Sequence, residues 1–142
     1  MISLDTAQAI VTAALVYARQ ASLPPMTVAV LDAGGALIAF GREDGSSLLR
    51  ERIARGKATG ALNMGVGSRA LAARAESHPH FFTAIIALAE GGVVPVAGGV
   101  LVRDADGALL GAVGVSGALP DSDEECALAG IAVTDFTPDP GA

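Results

Sequence analysis

The sequence predicts an α+β domain, and three observations lead to that class. Two extended apolar stretches are each folded back by an Asp-x-x-Gly turn, one over Asp32–Gly35 and one over Asp104–Gly107. Helical spacing of apolar residues marks the segments before, between and after them. Hairpins imply an antiparallel sheet, and helices gathered between hairpins imply helical layers on its faces.

The elements follow in order. Ser3 is placed to cap a first helix in which Leu4, Ala7, Ile10, Val11, Ala14, Leu15 and Ala18 share one side, and Pro24 and Pro25 end it. Met26 to Leu31 reads as a strand and Ala36 to Phe40 as its return; glycine in the turn accepts positive φ without steric cost. Arg42-Glu43-Asp44-Gly45 closes this hairpin. Ser46 or Ser47 then caps a helix running to about Met64, where Gly56 and Gly60 permit close approach to a neighbour. Ser68 to Glu76 reads as a short Ala-rich helix, and Pro79 as the first residue of another that ends near Gly91-Gly92. Gly99 to Arg103 and Ala108 to Ser116 form the second hairpin. The run Leu109, Leu110, Ala112, Val113, Val115 barely alternates, which predicts a strand buried on both sides. Ser122 and Glu125 have the spacing of a capping box for a final helix, with Asp123 and Glu124 suited to its dipole. One domain over residues 1–136 and a loose tail over 137–142 complete the reading.

Composition narrows the function classes. The chain has 142 residues, a net charge of −6 and no basic cluster beyond Arg50–Lys57, so nucleic acid is not an expected partner. No apolar run is long enough to suggest a membrane span, and the start, Met1-Ile2-Ser3-Leu4-Asp5, lacks the basic region of a signal peptide. The expectation is a cytoplasmic protein. The single Cys126 fits that expectation and reads as core rather than nucleophile.

Val28-Ala29-Val30-Leu31-Asp32-Ala33-Gly34-Gly35, then Arg42-Glu43-Asp44-Gly45, resembles the opening motif of the GlcG/HbpS-like, or haem-degrading domain, family. Lys57-Ala58, Gly98-Gly99-Val100, the run Gly107 to Gly117 and Asp121-Ser122-Asp123-Glu124 continue the likeness in order over nearly the whole chain. The resemblance implies a profilin-like α/β/α sandwich with a central antiparallel sheet of about five strands, assembled into homo-oligomers. Family members include haem-binding proteins, an accessory domain of corrinoid adenosyltransferases, and proteins encoded near small-acid catabolic enzymes. Haem-binding relatives can use a His near the first helix, whereas no His precedes His78 here; many members also carry Pro where this chain has Ala97 and Leu101.

Four sets of residues carry candidate chemistry. Arg42 leaves a strand end where it can meet a carboxylate, with Asp44 beside it, and Lys57 lies in an apolar stretch where desolvation would make it a base or amine nucleophile. Glu124 is a candidate general acid or base. Gly98, Gly99, Ser116 and Gly117 offer backbone against which a ligand can lie; tight packing explains the same glycines. His78 and His80, the only histidines, stand two apart before Phe81 and Phe82 and are candidate haem ligands, while no third group completes a metal site.

The leading expectation is therefore a small-molecule site that binds an anionic carboxylate metabolite. In its enzymatic form, Lys57 and Glu124 perform acid–base chemistry without a cofactor, as in an isomerase, lyase or hydrolase. Haem binding or sensing through His78 or His80 is the alternative, and a non-catalytic oligomeric accessory protein the third.

Overall fold

The computed structural model describes residues 1–142. Its elements are α1 (Leu4–Gln20), β1 (Thr27–Asp32), β2 (Leu37–Arg42), α2 (Leu49–Met64), α3 (Ser68–Ser77), α4 (Pro79–Leu88), β3 (Gly99–Arg103), β4 (Leu109–Ser116), α5 (Pro120–Ile131) and β5 (Thr137–Asp139). The predicted α+β class is found. Five strands form one antiparallel sheet in the order β2-β1-β4-β3-β5.

Both hairpins form for the same local reason. Asp32 Oδ1 accepts hydrogen bonds from the backbone N–H of Gly34 and Ala36, both at 2.9 Å. Asp104 Oδ1 does the same for Asp106 and Ala108, at 2.9 and 2.8 Å. Gly35 and Gly107 follow at φ of 86° and 84°, the left-handed region where a side chain is strained. Each turn is thus written by one carboxylate and one glycine.

The sheet separates two helical layers. On one face Val28, Val30, Val100, Val102, Val113 and Val115 meet Ala7, Ile10, Ala14 and Ala18 of α1 and Cys126, Ala127 and Ile131 of α5. On the other face Leu31, Leu101 and Ala112 meet Ala58 and Ala61 of α2. A smaller cluster of Leu71, Phe82 and Val93 holds the α3–α4 hairpin. The central strand β4 is buried from Gly111 to Ser116, as its unbroken apolar run predicts.

Glycine sets the distance between α2 and the sheet. A Cβ on Gly114 would overlap the Ala54 carbonyl oxygen, and one on Gly99 would overlap the Lys57 carbonyl oxygen. Gly99 and Gly114 are register partners on β3 and β4, so they form one bare patch under the helix. Gly56 and Gly60 serve α2's outer side as expected: a Cβ on Gly56 would lie 2.9 Å from the Gly91 oxygen, and one on Gly60 3.1 Å from the Val93 Cα.

Three local expectations are corrected. Neither Ser46 nor Ser47 caps α2. The helix starts at Leu49 with Leu48 at the cap position, because the buried Ser46 hydroxyl is 2.8 Å from the Thr27 hydroxyl. Ser122 and Glu125 form no capping box, because α5 already begins at Pro120 and Glu125 instead accepts the Tyr17 hydroxyl at 2.8 Å. The tail beyond residue 136 is not loose. Thr137–Asp139 adds a fifth strand beside β3, Asp139 pairs with Arg103 at 3.0 Å, and the Arg69 N–H donates to the Pro140 carbonyl at 3.3 Å.

Substitution at two glycines separates the two kinds of constraint. We expect Gly114→Ala to destabilise by at least about 2 kcal/mol, the range of overpacked cores. Gly107→Ala meets no atom within 4 Å, and only its positive φ opposes it, so its cost is about 1 kcal/mol. Urea midpoints at unchanged m-value measure both; equal shifts would show that α2 moves off the sheet at little cost.

Candidate functional site

The register of the sheet brings one end of its middle strands together. Arg42, Thr27 and Ser116 lie side by side on β2, β1 and β4, and Gly99 lies opposite Gly114 one step further. The exits of both hairpins therefore lie at the same end of the sheet. What the charges do there differs from the sequence expectation.

Lys57 turns inward from α2 toward the end of β4. Its ammonium donates to Asp123 Oδ2 at 2.7 Å and to the Val115 carbonyl at 3.1 Å. The two side chains are 3% and 1% exposed. Gly98 leaves room for the ammonium, since a Cβ there would lie 2.9 Å from Nζ. The other Asp123 oxygen accepts the Ala118 N–H at 2.8 Å. Burial pushes the Lys57 ammonium down and the Asp123 carboxyl up, against the attraction that each exerts on the other. The desolvated lysine of the sequence reading is thus real, but Asp123 covers its charge.

Glu124 is likewise engaged. Arg69 Nε sits 3.2 and 3.0 Å from its two oxygens, and Arg69 Nη2 reaches Asp121 at 2.6 Å. These two carboxylates raise the already high pKa of the guanidinium further. Next to it, the buried Ser68 hydroxyl accepts the Gly99 N–H at 2.7 Å. Arg69 and Ser68 were not singled out in the sequence. Their only signal was the position of an Arg at the start of a helix facing the acidic run Asp121–Glu125, across 52 residues of chain.

Arg42 gives two N–H groups to the Ser46 carbonyl, at 3.1 and 2.8 Å, and so holds the loop into α2. Together with Asp44, Glu43, Arg19 and Pro25 it lines a shallow cavity of about 430 Å³. In that cavity Glu43 already pairs with Arg19 at 2.9 Å. Gly117 packs on Met26, with a Cβ there 2.5 Å from its sulfur. Lys57, Gly98, Gly99, Ser116 and Gly117 thus lie at one end of the sheet with Glu124 next to Asp123, Arg42 lies two strands from Ser116 across Thr27 with Asp44 in the loop beyond it, and most of their polar groups face protein partners.

His78 and His80 lie elsewhere. His78 is the junction of α3 and α4, Pro79 opens α4, and both imidazoles are exposed. Phe82 is buried and meets Phe81 edge to face, with centroids 5.8 Å apart and planes at 77°. Phe81 itself is 54% exposed. Pro79–Leu88 carries no charged side chain and also exposes Ile86 and Leu88. No group of three or more His, Cys, Asp or Glu side chains is arranged to hold a metal ion. No helix is long and apolar enough to cross a membrane.

A five-stranded antiparallel sheet between helical layers, with Lys57, Asp123, Arg69 and Glu124 gathered at one sheet end, defines a small α+β sandwich domain. The chain belongs to the family described as haem degrading protein HbpS-like, whose profile matches residues 2–132. Among solved structures, it is similar to the PduOC:haem complex with 26% identity and a TM-score of 0.85, covering 95% of this chain and 96% of that one. It is similar to HbpS, a protein of Streptomyces reticuli, with 31% identity and a TM-score of 0.78, covering 92% of this chain and 88% of that one. The Klebsiella pneumoniae protein ORFY shares the fold at 21% identity and a TM-score of 0.80, covering 92% of this chain and 88% of that one. No curated protein matches the chain.

Two outcomes test this picture of the site. Lys57→Met leaves Asp123 buried without its partner and should cost about 3–5 kcal/mol, while Lys57→Met with Asp123→Leu should recover part of that loss in a thermal melt. The recovery stays partial because Asp123 also accepts the Ala118 N–H. Cys126 is fully buried and desolvation pushes its thiol up to about 12. At pH 8 roughly one thiol in ten thousand is then ionised. Iodoacetamide should leave the native protein unlabelled and modify it only after unfolding.

Proposed function

We propose that this protein binds haem, with His78 or His80 as the iron ligand. The observation that carries the reading is the likeness to the PduOC:haem complex over 95% of this chain, within a family described as haem degrading. The chain's own residues fit such a group. Haem iron takes a neutral imidazole, and the macrocycle needs apolar surface beside it. Two exposed imidazoles stand at the start of a helix that carries no charge and presents Phe81 to solvent. When bound, haem supplies an iron centre with ligand-binding and one-electron chemistry.

The alternative of a small carboxylate metabolite turned over by Lys57 and Glu124 draws less support. Both groups are buried and already paired, with Asp123 and Arg69 respectively, so neither is free to accept a proton from a ligand.

Hemin titration tests the proposal. The wild type should give a saturable, sharpened and shifted Soret band. His78→Ala and His80→Ala, made singly and together, should show which imidazole is the ligand, with the double variant losing the sharp band. A wild type without a saturable shift would sink the haem reading. A double variant that binds as the wild type does would remove these two histidines from it.

A further inference from the structure

The two edges of the sheet differ in how they are closed. A sheet edge carries a row of free backbone N–H and C=O groups, and proteins blunt it with prolines, charges or very short strands. At one edge β5 is three residues long, holds Pro138 and Asp139, and runs into Pro140. At the other edge β2 has six residues, no proline and a single charge, Arg42, at its end. The Glu43 N–H donates to the Met26 carbonyl at 2.9 Å, and the register continues with Gly41 opposite Val28 and Ala39 opposite Val30. Alternation in an antiparallel ladder then turns the N–H and C=O of Phe40 and Arg42 away from β1, toward the open side.

One face of β2 is open as well. Phe40 and Leu37 stand opposite Ala29 and Leu31, on the side of the sheet where α2 lies. α2 packs on β1, β3 and β4, and neither Phe40 nor Leu37 joins the cluster beneath it. They are 38% and 42% exposed. On the other side Gly41 lies against Val11 and Leu15 of α1. Between α1 and β2 the exposed Leu4, with Val11, Ile38 and Ala39, lines a cavity of about 580 Å³.

We propose that β2 is the surface through which two copies of this chain pair, edge to edge and antiparallel about a two-fold axis. A second copy fits because the edge is complementary to itself. With the two Gly41 residues facing each other on the axis, Phe40 stands opposite Arg42 of the second copy, and the outward N–H and C=O groups of both residues are bonded. The one charge of the strand then lies beside an aromatic ring rather than beside its own copy. Ile38, the bulged residue with no partner on β1, falls outside the paired segment. Backbone pairing alone buries less than the roughly 800 Å² per partner of a standard interface, and Phe40, Leu37 and the cavity beside Leu4 supply the apolar surface that completes it. The pairing does not depend on whether haem binds.

Sedimentation equilibrium and amide hydrogen exchange on the full chain test it, with Phe40→Lys and Phe40→Pro as variants. The wild type should assemble as a dimer or an even multiple of one. Phe40→Lys sets an ammonium beside Arg42 of the second copy, and Phe40→Pro removes an outward N–H that β1 does not use; each should weaken association at least about tenfold. The Arg42 amide should be protected in the wild type and exchange at least about tenfold faster in Phe40→Lys, while the Gly41 amide, directed at β1, stays protected in both. Where a variant unfolds, the wild-type Arg42 amide decides alone. If that amide exchanges as a free one, if the wild type stays monomeric into the millimolar range, or if both folded variants keep the wild-type mass, the β2 interface is overturned.

Discussion

Direct contact between the α2 backbone and the β3–β4 backbone is the constraint on which the rest of this structure depends. Gly99 and Gly114 permit it, and any side chain at either position would collide with a carbonyl of the helix. With the helix this close, a long side chain from its inner face has no outlet along the sheet. Lys57 runs to the sheet's end, where the ammonium is enclosed by Gly98, Val115 and Asp123. A buried ammonium demands a counter-charge. Asp123 supplies it from the first turn of α5, which packs on the opposite face. One ion pair thereby fastens the two helical layers around the end of the sheet. Its worth lies less in net stability than in the penalty for any arrangement that separates the partners.

The same logic propagates outward. Once Asp123 is spent on Lys57, the remaining acids of that turn, Asp121 and Glu124, are taken by Arg69 at the start of α3. At the same helix start the Ser68 hydroxyl accepts the Gly99 N–H of β3 and the Pro140 carbonyl accepts the Arg69 N–H, so the residues after β5 belong to the clamp. The charge cluster that reads as catalytic from its residue types is mostly a set of joints between α2, α3, α5 and the C-terminal strand. Perturbed protonation equilibria mark such joints as readily as they mark active sites, and accessibility distinguishes the two.

The fold was legible because its signals are local. Each hairpin needs only an Asp and a Gly at fixed spacing, and α1 needs only Ser3, whose hydroxyl accepts the Thr6 N–H at 3.1 Å. The errors arose where a local signal lost to a distant partner. Ser46 has the chemistry of a helix cap, but Thr27 on the neighbouring strand claims its hydroxyl. Glu125 has the spacing of a capping box, but Tyr17 of α1 reaches it first. The tail's Pro138 and Pro140 suggest looseness, yet Pro138 sits on an edge strand, where a missing N–H toward solvent costs nothing. In the site, Lys57 was recognisable as an unusual lysine, and the neutralising Asp123 lies 66 residues away with nothing in the sequence to pair them.

This shifts where function is to be sought. A residue's charge is available for a ligand only after the fold has taken what it needs, and here the fold takes Lys57, Arg69, Asp123 and Glu124. What remains is chemically sparse: two exposed imidazoles beside an uncharged helix. Neither imidazole is buried or contributes to holding the layers together. A helix that leaves Phe81 and Leu88 in water beside two imidazoles the fold does not use is the surface for which a bound partner gives the physical account.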